Sequence, residues 1–397
     1  MPAEHRMNPA ELRASLALST VFFLRMFGLF LILPVFVLYA ETLPDGTPLL
    51  AGIALGCYGL TQALFQVPFG AASDRFGRKK VIVSGLILFG IGSITAAATD
   101  SIYIIIIGRI IQGAGAIASA IMALTADLTR ETQRSKAMAL IGASVGFAFM
   151  LSFLAGPVLN PFIGVPGLFY LSAGLSVVAI LIVVFAIPDP DSPVQGMSRR
   201  YTFTDVLRYR QLYVFYAGIF LLHMILMANF VAVPLVLRDH VAIDAARHWE
   251  IYLPVLLLSA LIMVPFLLLG ERLNLVGLFF RGAVALMVIA QFGLINWNDT
   301  ITGIATTLTL FFIAFNYLEA TLPALISRAA PPEQKGAALG IYSTSQFIGT
   351  FIGGVFGGYL YQFHGIDTVF LGCFIVSLIW LTGILVNKKL PINGSTG

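Results

Sequence analysis

Twelve runs of about 20 predominantly apolar residues dominate this 397-residue chain, each long enough to cross about 30 Å of hydrocarbon as a helix. They fall at about residues 16–38, 49–70, 81–98, 102–124, 136–158, 166–187, 212–236, 250–269, 276–295, 301–325, 335–360 and 366–386. Such a chain has few options. Inside a bilayer every backbone polar group must find a partner within the protein, and a helix satisfies its own. The expected fold class is therefore all-α integral membrane. Composition agrees, with 58% hydrophobic and 11% charged residues against about 25% charged in soluble domains, and a mean hydropathy of +0.93. Cys57 and Cys373 both lie in apolar runs, which argues against a disulfide framework. The N-terminus has no short apolar core followed by a small-residue cleavage site, so no cleaved signal peptide is expected.

Basic residues set the expected orientation. Of the 23 Lys and Arg, 19 fall at the two termini or in the connections from even to odd spans, including Arg75, Arg78, Lys79, Lys80, Arg130, Arg134, Lys136, Arg199, Arg200, Lys335, Lys388 and Lys389. Arg238 and Arg247 lie in the opposite loops, and Arg25 and Arg109 lie within spans. The positive-inside rule then places both termini in the cytoplasm of a cell carrying the protein in its inner (plasma) membrane. The net charge of +4 thus follows topology and implies no nucleic acid.

A polar stretch from Pro188 to Gln211 divides the spans six and six. The expected organisation is an N-terminal bundle (1–187), a cytoplasmic linker (188–211), a C-terminal bundle (212–390) and a short tail (391–397) with no soluble C-terminal domain. The halves resemble each other. At an offset of 200, Gly70, Asp74 and Gly77 fall on Gly270, Asn274 and Gly277, and Pro34 falls on Pro234. At 201, Gln133-Arg134-Ser135-Lys136-Ala137-Met138 falls on Gln334-Lys335-Gly336-Ala337-Ala338-Leu339. Duplicated halves of this kind are typical of secondary transporters, whose substrate site lies near the midplane between them.

Four ionisable side chains sit deep inside the apolar runs, one on every third span: Arg25, Arg109, His223 and Glu319. A charge near the bilayer centre costs about 2.5–3.5 kcal/mol even on the lenient scale, so each must face a partner or a wet cavity. Glu319 lies nine residues before Arg328, or about 13 Å along a helix, close to mid-membrane. Arg25 and His223 sit at similar depth, and Arg109 nearer the outer surface. Glu319 reads as a proton carrier or as one half of a permanent ion pair. Arg25 can be its counter-ion or bind an anionic substrate, and His223 can share the proton or hydrogen-bond substrate or a helix. Gln62, Gln66, Gln112, Asn229, Asn316, Tyr317 and Gln346 are further polar groups in spans, suited to helix contacts or a pathway lining. Met224, Met227, Phe230, Phe312 and Phe315 lie near the charged positions and suit a soft apolar pocket, although packing is the default for any one of them.

The most specific motif is Gly70-Ala-Ala-Ser-Asp74-Arg75-Phe76-Gly77-Arg78-Lys79-Lys80, after the second span. Gly70 permits close helix approach, Gly77 a tight turn, and the basic run anchors the turn at the inner surface. Asp74 is the acid among them, and at this level the positive N-terminal ends of odd spans attract carboxylates. A generic basic turn is the plainer reading.

This segment resembles the G-x-x-x-D-R-x-G-R-K-K signature of the major facilitator superfamily, and Arg109-Ile-Ile-Gln112-Gly113-Ala-Gly115 resembles its R-x-x-Q-G-x-G signature. The likeness runs through twelve spans, two halves and a linker. Arg25-Met-Phe-Gly28-Leu-Phe30-Leu-Ile-Leu-Pro34 and Asn316-Tyr-Leu-Glu319-Ala-Thr-Leu-Pro323 are most similar to the YajR-like branch of proton-coupled drug antiporters. The resemblance implies two pseudo-symmetric six-helix bundles, alternating access, a cavity lined by spans one, four, seven and ten, and a cytoplasmic gate in which Asp74 meets the start of span eleven. It further implies a charge relay completed by Arg78 and Asp127, and a role in proton relay for Arg109 with Gln112, a pair that equally suits simple ordering of the span packing. The glycine-rich antiporter signature of span five is only partly present: Gly156-Pro157 is kept, but Ala143, Ser152, Asn160 and Pro161 stand where glycines are expected.

The chain is thus expected to be a monomeric secondary transporter coupling proton entry to export of small hydrophobic or amphipathic molecules. Its expected partners are substrate, protons and the lipid bilayer. A proton symporter for a nutrient and a non-transporting receptor are the rivals. The sequence holds no Walker A loop, no metal-ligand cluster and no catalytic Ser/His/Asp set, so neither a cofactor nor enzymatic activity is expected.

Overall fold

The computed structural model describes residues 6–189, 206–331 and 334–386. Most of the expected linker, the whole tail, and Arg199, Arg200, Lys388 and Lys389 lie outside the described residues. Among the described residues every regular element is a helix.

The first helix, α1 (Pro9–Phe30), starts at Pro9 instead of near residue 16. Polar residues start it. The Asn8 side chain accepts from the Glu11 amide (2.7 Å) and the Asn8 amide donates to Glu11 Oε2 (2.8 Å), with Pro9 at the first helical position. Pro34 lies in the turn that separates α1 from the short α2 (Phe36–Ala40). Then come α3 (Pro48–Phe76) and α4 (Arg78–Ala97). The expected fourth span is two helices, α5 (Ile102–Ala114) and α6 (Ala118–Asp127), joined through Gly115. A Cβ on Gly115 would stand 2.2 Å from the Gly85 carbonyl oxygen, so only glycine lets the break pass this close to α4.

One long element, α7 (Glu131–Phe185), has 55 residues and breaks at Gly164 (φ 66°), between the expected fifth and sixth spans. The second half of the chain forms α8 (Tyr213–Asp239), α9 (Trp249–Arg272), α10 (Val276–Asn296), α11 (Ile301–Ala329), α12 (Lys335–His364) and α13 (Ile366–Val386). Among the described residues, ten helical segments are long and apolar enough to cross a bilayer. Because one crossing needs about 20 residues, α7 supplies two. The 30-residue α12 is the twelfth, its apolar character diluted by seven glycines.

The helices form two compact units, Met1–Asp45 with Cys57–Met197, and Gly46–Gly56 with Ser198–Gly397. In the first, α1 packs along α7, and α4 packs against α5 and α7 around Leu18, Phe22, Leu86, Phe89 and Ile121. In the second, α8 packs along α12, and α11 lies against both α9 and α10. The start of α3 also belongs there: a Cβ on Gly52 would meet the Gly354 carbonyl at 2.0 Å, which defines a close helix crossing. Lipid tails are as apolar as leucine side chains, so such close packing, and not the hydrophobic effect, holds membrane helices together.

Candidate functional site

Each unit buries its own polar cluster. In the first, Arg25 on α1 is fully buried, and its Nη2 donates to Gln62 Oε1 on α3 (2.9 Å) and to the Gly115 carbonyl (2.9 Å). The break at Gly115 exposes that carbonyl, so a helix interruption has become a ligand for a buried cation. Arg109 on α5 is likewise buried, and its Nη1 donates to Gln112 Oε1 (2.7 Å). Gln112 Nε2 donates onward to Ser93 Oγ on α4 (2.7 Å), and Ser93 donates to the Phe89 carbonyl (2.7 Å). Both guanidinium groups lie over the Tyr58 ring, 5.9 Å (Arg25) and 5.1 Å (Arg109) from its centre, within cation–π range. Elsewhere in this unit Glu11 pairs with Arg130, and Asp74 and Asp127 pair with Arg78.

At one end of the same unit, the turn between α3 and α4 is built on Gly77, whose φ of 97° favours glycine. Arg78 opens α4 and organises the motif. Its Nε donates to Asp127 Oδ2 at the end of α6 (3.1 Å), its Nη1 donates to Ser73 Oγ (2.7 Å), and it pairs with Asp74. Asp127 is 4% exposed by its side chain and Asp74 67% exposed, so Arg78 joins a buried acid to an open one. Ser73 in turn donates to the Gly70 carbonyl (2.7 Å), and Lys79 Nζ donates to the Ile187 carbonyl (2.9 Å). Arg75 is exposed and lies over the Phe76 ring.

In the second unit the cluster is Glu319 (α11), Gln346 (α12) and His223 (α8). Gln346 Nε2 is 3.0 Å from Glu319 Oε1 and 2.9 Å from His223 Nε2. His223 Nδ1 is 3.3 Å from the Ile219 carbonyl. Carboxylate and carbonyl oxygens only accept, so the network assigns the proton of a neutral His223 to Nδ1 and leaves Nε2 to accept from the amide. One Gln346 nitrogen therefore donates to both titratable groups. Glu319 Oε2 has no hydrogen-bond partner and lies 3.8 Å from His223 Nε2. The Glu319 side chain is 37% exposed, whereas Arg25 and Arg109 are sealed.

The remaining candidates divide plainly. Gln66 presents its backbone carbonyl to Ser119 Oγ (3.1 Å), and Asn316 Nδ2 donates to Ser259 Oγ on α9 (3.4 Å). Met224, Met227, Phe230 and Phe312 are packed into the second unit, and Phe315 lies against His223 with ring centres 5.6 Å apart. Sequence reasoning passed over Tyr58, Ser73 and Ser93. For Tyr58 a signal existed, since it precedes Gln62 by one helical turn and shares its face. Tyr342, whose buried hydroxyl has no partner, precedes Gln346 by the same interval.

Among the described residues no group of three His, Cys, Asp or Glu side chains could hold a metal ion. The description "Major Facilitator Superfamily" matches residues 18–318 and 282–394. The chain is 42% identical over 392 residues to the inner membrane transport protein YajR of Escherichia coli (strain K12), covering 98% of this chain and 86% of that protein. It is 24% identical over 382 residues to multidrug resistance protein 2 of Bacillus subtilis (strain 168), covering 92% and 94%. Among solved structures, a bacterial homolog of the human lysosomal transporter Spinster superposes with a TM-score of 0.83 at 12% identity, over 99% of this chain and all of that one. These proteins are transporters and not enzymes. With its helical architecture, its paired polar clusters and the extent of these matches, the chain belongs to the major facilitator superfamily of secondary transporters.

Proposed function

We propose that the protein is a proton-coupled antiporter of the inner membrane that exports small hydrophobic or amphipathic molecules by alternating access. The observation that carries this reading is the Glu319–Gln346–His223 cluster. It joins a carboxylate with one unpartnered oxygen to an imidazole through one shared amide donor. A proton arriving at His223 Nε2 displaces the Gln346 donor and turns the ring toward Glu319 Oε2 as a charged partner. A proton on Glu319 removes the acceptor that holds Gln346. Either event rewires contacts among α8, α11 and α12, so protonation can bias one conformation over another. That is the differential interaction coupling requires.

Both termini face the cytoplasm in this reading, and Asp74, Arg78 and Asp127 hold the cytoplasmic end closed in the outward-open state. Arg25 and Arg109 supply fixed positive charge. Met224, Met227, Phe230, Phe312 and Phe315 become the soft wall of the pathway when the protein opens, with Gln62, Gln66, Gln112 and Asn316 as its polar points. The names of the Escherichia coli and Bacillus subtilis relatives support an inner-membrane exporter.

The test is proton-coupled flux in liposomes. Glu319→Gln is expected to abolish it while the protein still purifies folded. Flux in that variant with wild-type pH dependence would remove Glu319 from the mechanism. Under an inward proton gradient the wild type is expected to deplete its cargo from the proton-poor side; accumulation there instead would make the protein a symporter.

A further inference from the structure

Where the ends of α9, α10 and α11 meet, the second unit keeps a cavity of about 90 Å³, several times the space one water needs. Its walls are mostly apolar, with Leu267, Val276, Ala320, Ala324 and Leu325 among them. Glu271 and Arg328 line it too, joined by a hydrogen bond from Arg328 Nη2 to Glu271 Oε1 (3.4 Å). Tyr317 adds a hydroxyl beside them: a Cβ on Gly270 would stand 3.3 Å from that oxygen. At 3.6 residues per turn, Tyr317, Thr321, Ala324 and Arg328 share one side of α11, and Glu319 lies on the other. The cavity is therefore separate from the titratable cluster.

The first unit fills the matching corner, between spans two, three and four, with its own side chain. Arg78 is the first residue of α4, and it reaches acids near the ends of the neighbouring helices, Asp74 on α3 and Asp127 on α6. Val276 is the first residue of α10 and is too short to do the same, which leaves the space. What remains is an acid and a base on the rim of an apolar hollow. More than half of each side chain is exposed, and their separation exceeds the usual ~2.7–2.9 Å of a charge-assisted bond. Such a pair is cheap to open. Water suits the hollow poorly, because each molecule needs about two to four polar partners. We propose that this corner binds a small aliphatic α-amino acid as its zwitterion, with ammonium on Glu271, carboxylate on Arg328 and side chain against Val276 and Ala324. The ligand's two charges must lie about as close together as those of the pair, which favours an α-amino acid over longer zwitterions. The site does not rest on the transport reading.

The melting temperature of the purified full chain tests this, with each ligand titrated at constant ionic strength. L-Leucine is expected to give a saturable rise in the wild type. Glycine lacks the side chain, 3-methylbutylamine the carboxylate and 4-methylpentanoate the ammonium. Each should bind roughly tenfold or more weakly, the scale of one buried aliphatic side chain or one hydrogen bond to a charged group. Glu271→Gln and Arg328→Gln should each abolish saturation by leucine. So should Val276→Phe, which fills the hollow and leaves both charges in place. Leucine curves that never saturate, or that coincide in wild type and any of the three variants, overturn the proposal in favour of a solvated surface pair. Any of the three analogues binding as well as leucine overturns it too, because part of the ligand would then go unread. Should Val276→Phe fail to fold, the two charge variants and the analogues decide. No transport is measured, so a negative result leaves the efflux reading standing, and an active Glu319→Gln leaves this site standing.

Discussion

The two units solve the same problem, an ionisable group set among apolar helices, in opposite ways. In the first, the charges are guanidinium groups sealed from water. Arg25 is met by Gln62, a carbonyl and an aromatic ring, and Arg109 by Gln112 and the same ring. In the second, the charge is a carboxylate with one unpartnered oxygen and a histidine close by. Both use glutamine as the neutral partner, turned oxygen-first toward arginine and nitrogen-first toward glutamate. The difference teaches a division of labour. A guanidinium cannot release its proton in the physiological range, so the first cluster supplies fixed charge, whereas the second can change charge.

The largest effect is expected from breaking the packing that seals the first cluster. A Cβ on Gly113 would stand 2.3 Å from the Tyr58 carbonyl, so Gly113→Val should leave little folded protein by size-exclusion chromatography. Gly142→Ala on α7, with open space around it, should be neutral in the same assay.

Next in size are the salt bridges at the helix ends. Arg78→Ala strands the buried Asp127 carboxylate and should cost about 3 kcal/mol, read as a fall in melting temperature. In the second unit Arg328, 201 residues after Asp127, pairs instead with Glu271 at 3.4 Å, a residue that does not correspond to Arg78. There the side chains are 62% and 56% exposed, and Arg328→Ala should be silent within error. Equal losses in the two variants would break the contrast between the halves.

Gln346→Leu sharpens the comparison on the other side. It removes the one donor shared by Glu319 and His223, and proton-coupled flux should fall about tenfold, the scale of one charged hydrogen bond. Unchanged flux would mean that the two groups act without the amide between them.

Much of the fold was legible because bilayer crossing is a matter of length and composition. The break at Gly164 falls between the fifth and sixth apolar runs, and Gly77 takes the turn its motif suggested. Other features were hidden. The start of α1 escaped because its capping residues are polar, and Glu11 is held there by Arg130, distant in sequence. The repeat itself misleads in detail: Gly77 has the positive φ in the first half, but Asn274 takes it in the second, with Gly277 already inside α10. At the site, composition found the charged residues but not which glutamine hydrogen-bonds Arg25 or Glu319 within its unit, because which face of a neighbouring helix meets a given side chain is a tertiary fact that spacing does not carry.

An infrared pH titration of the purified protein tests most directly whether the second cluster is the part that changes charge. A protonated-carboxyl band is predicted to titrate in the wild type, to disappear in Glu319→Gln, and to persist in Asp74→Asn and Tyr58→Phe. The same titrating band in Glu319→Gln as in wild type would place the proton elsewhere and contradict the account.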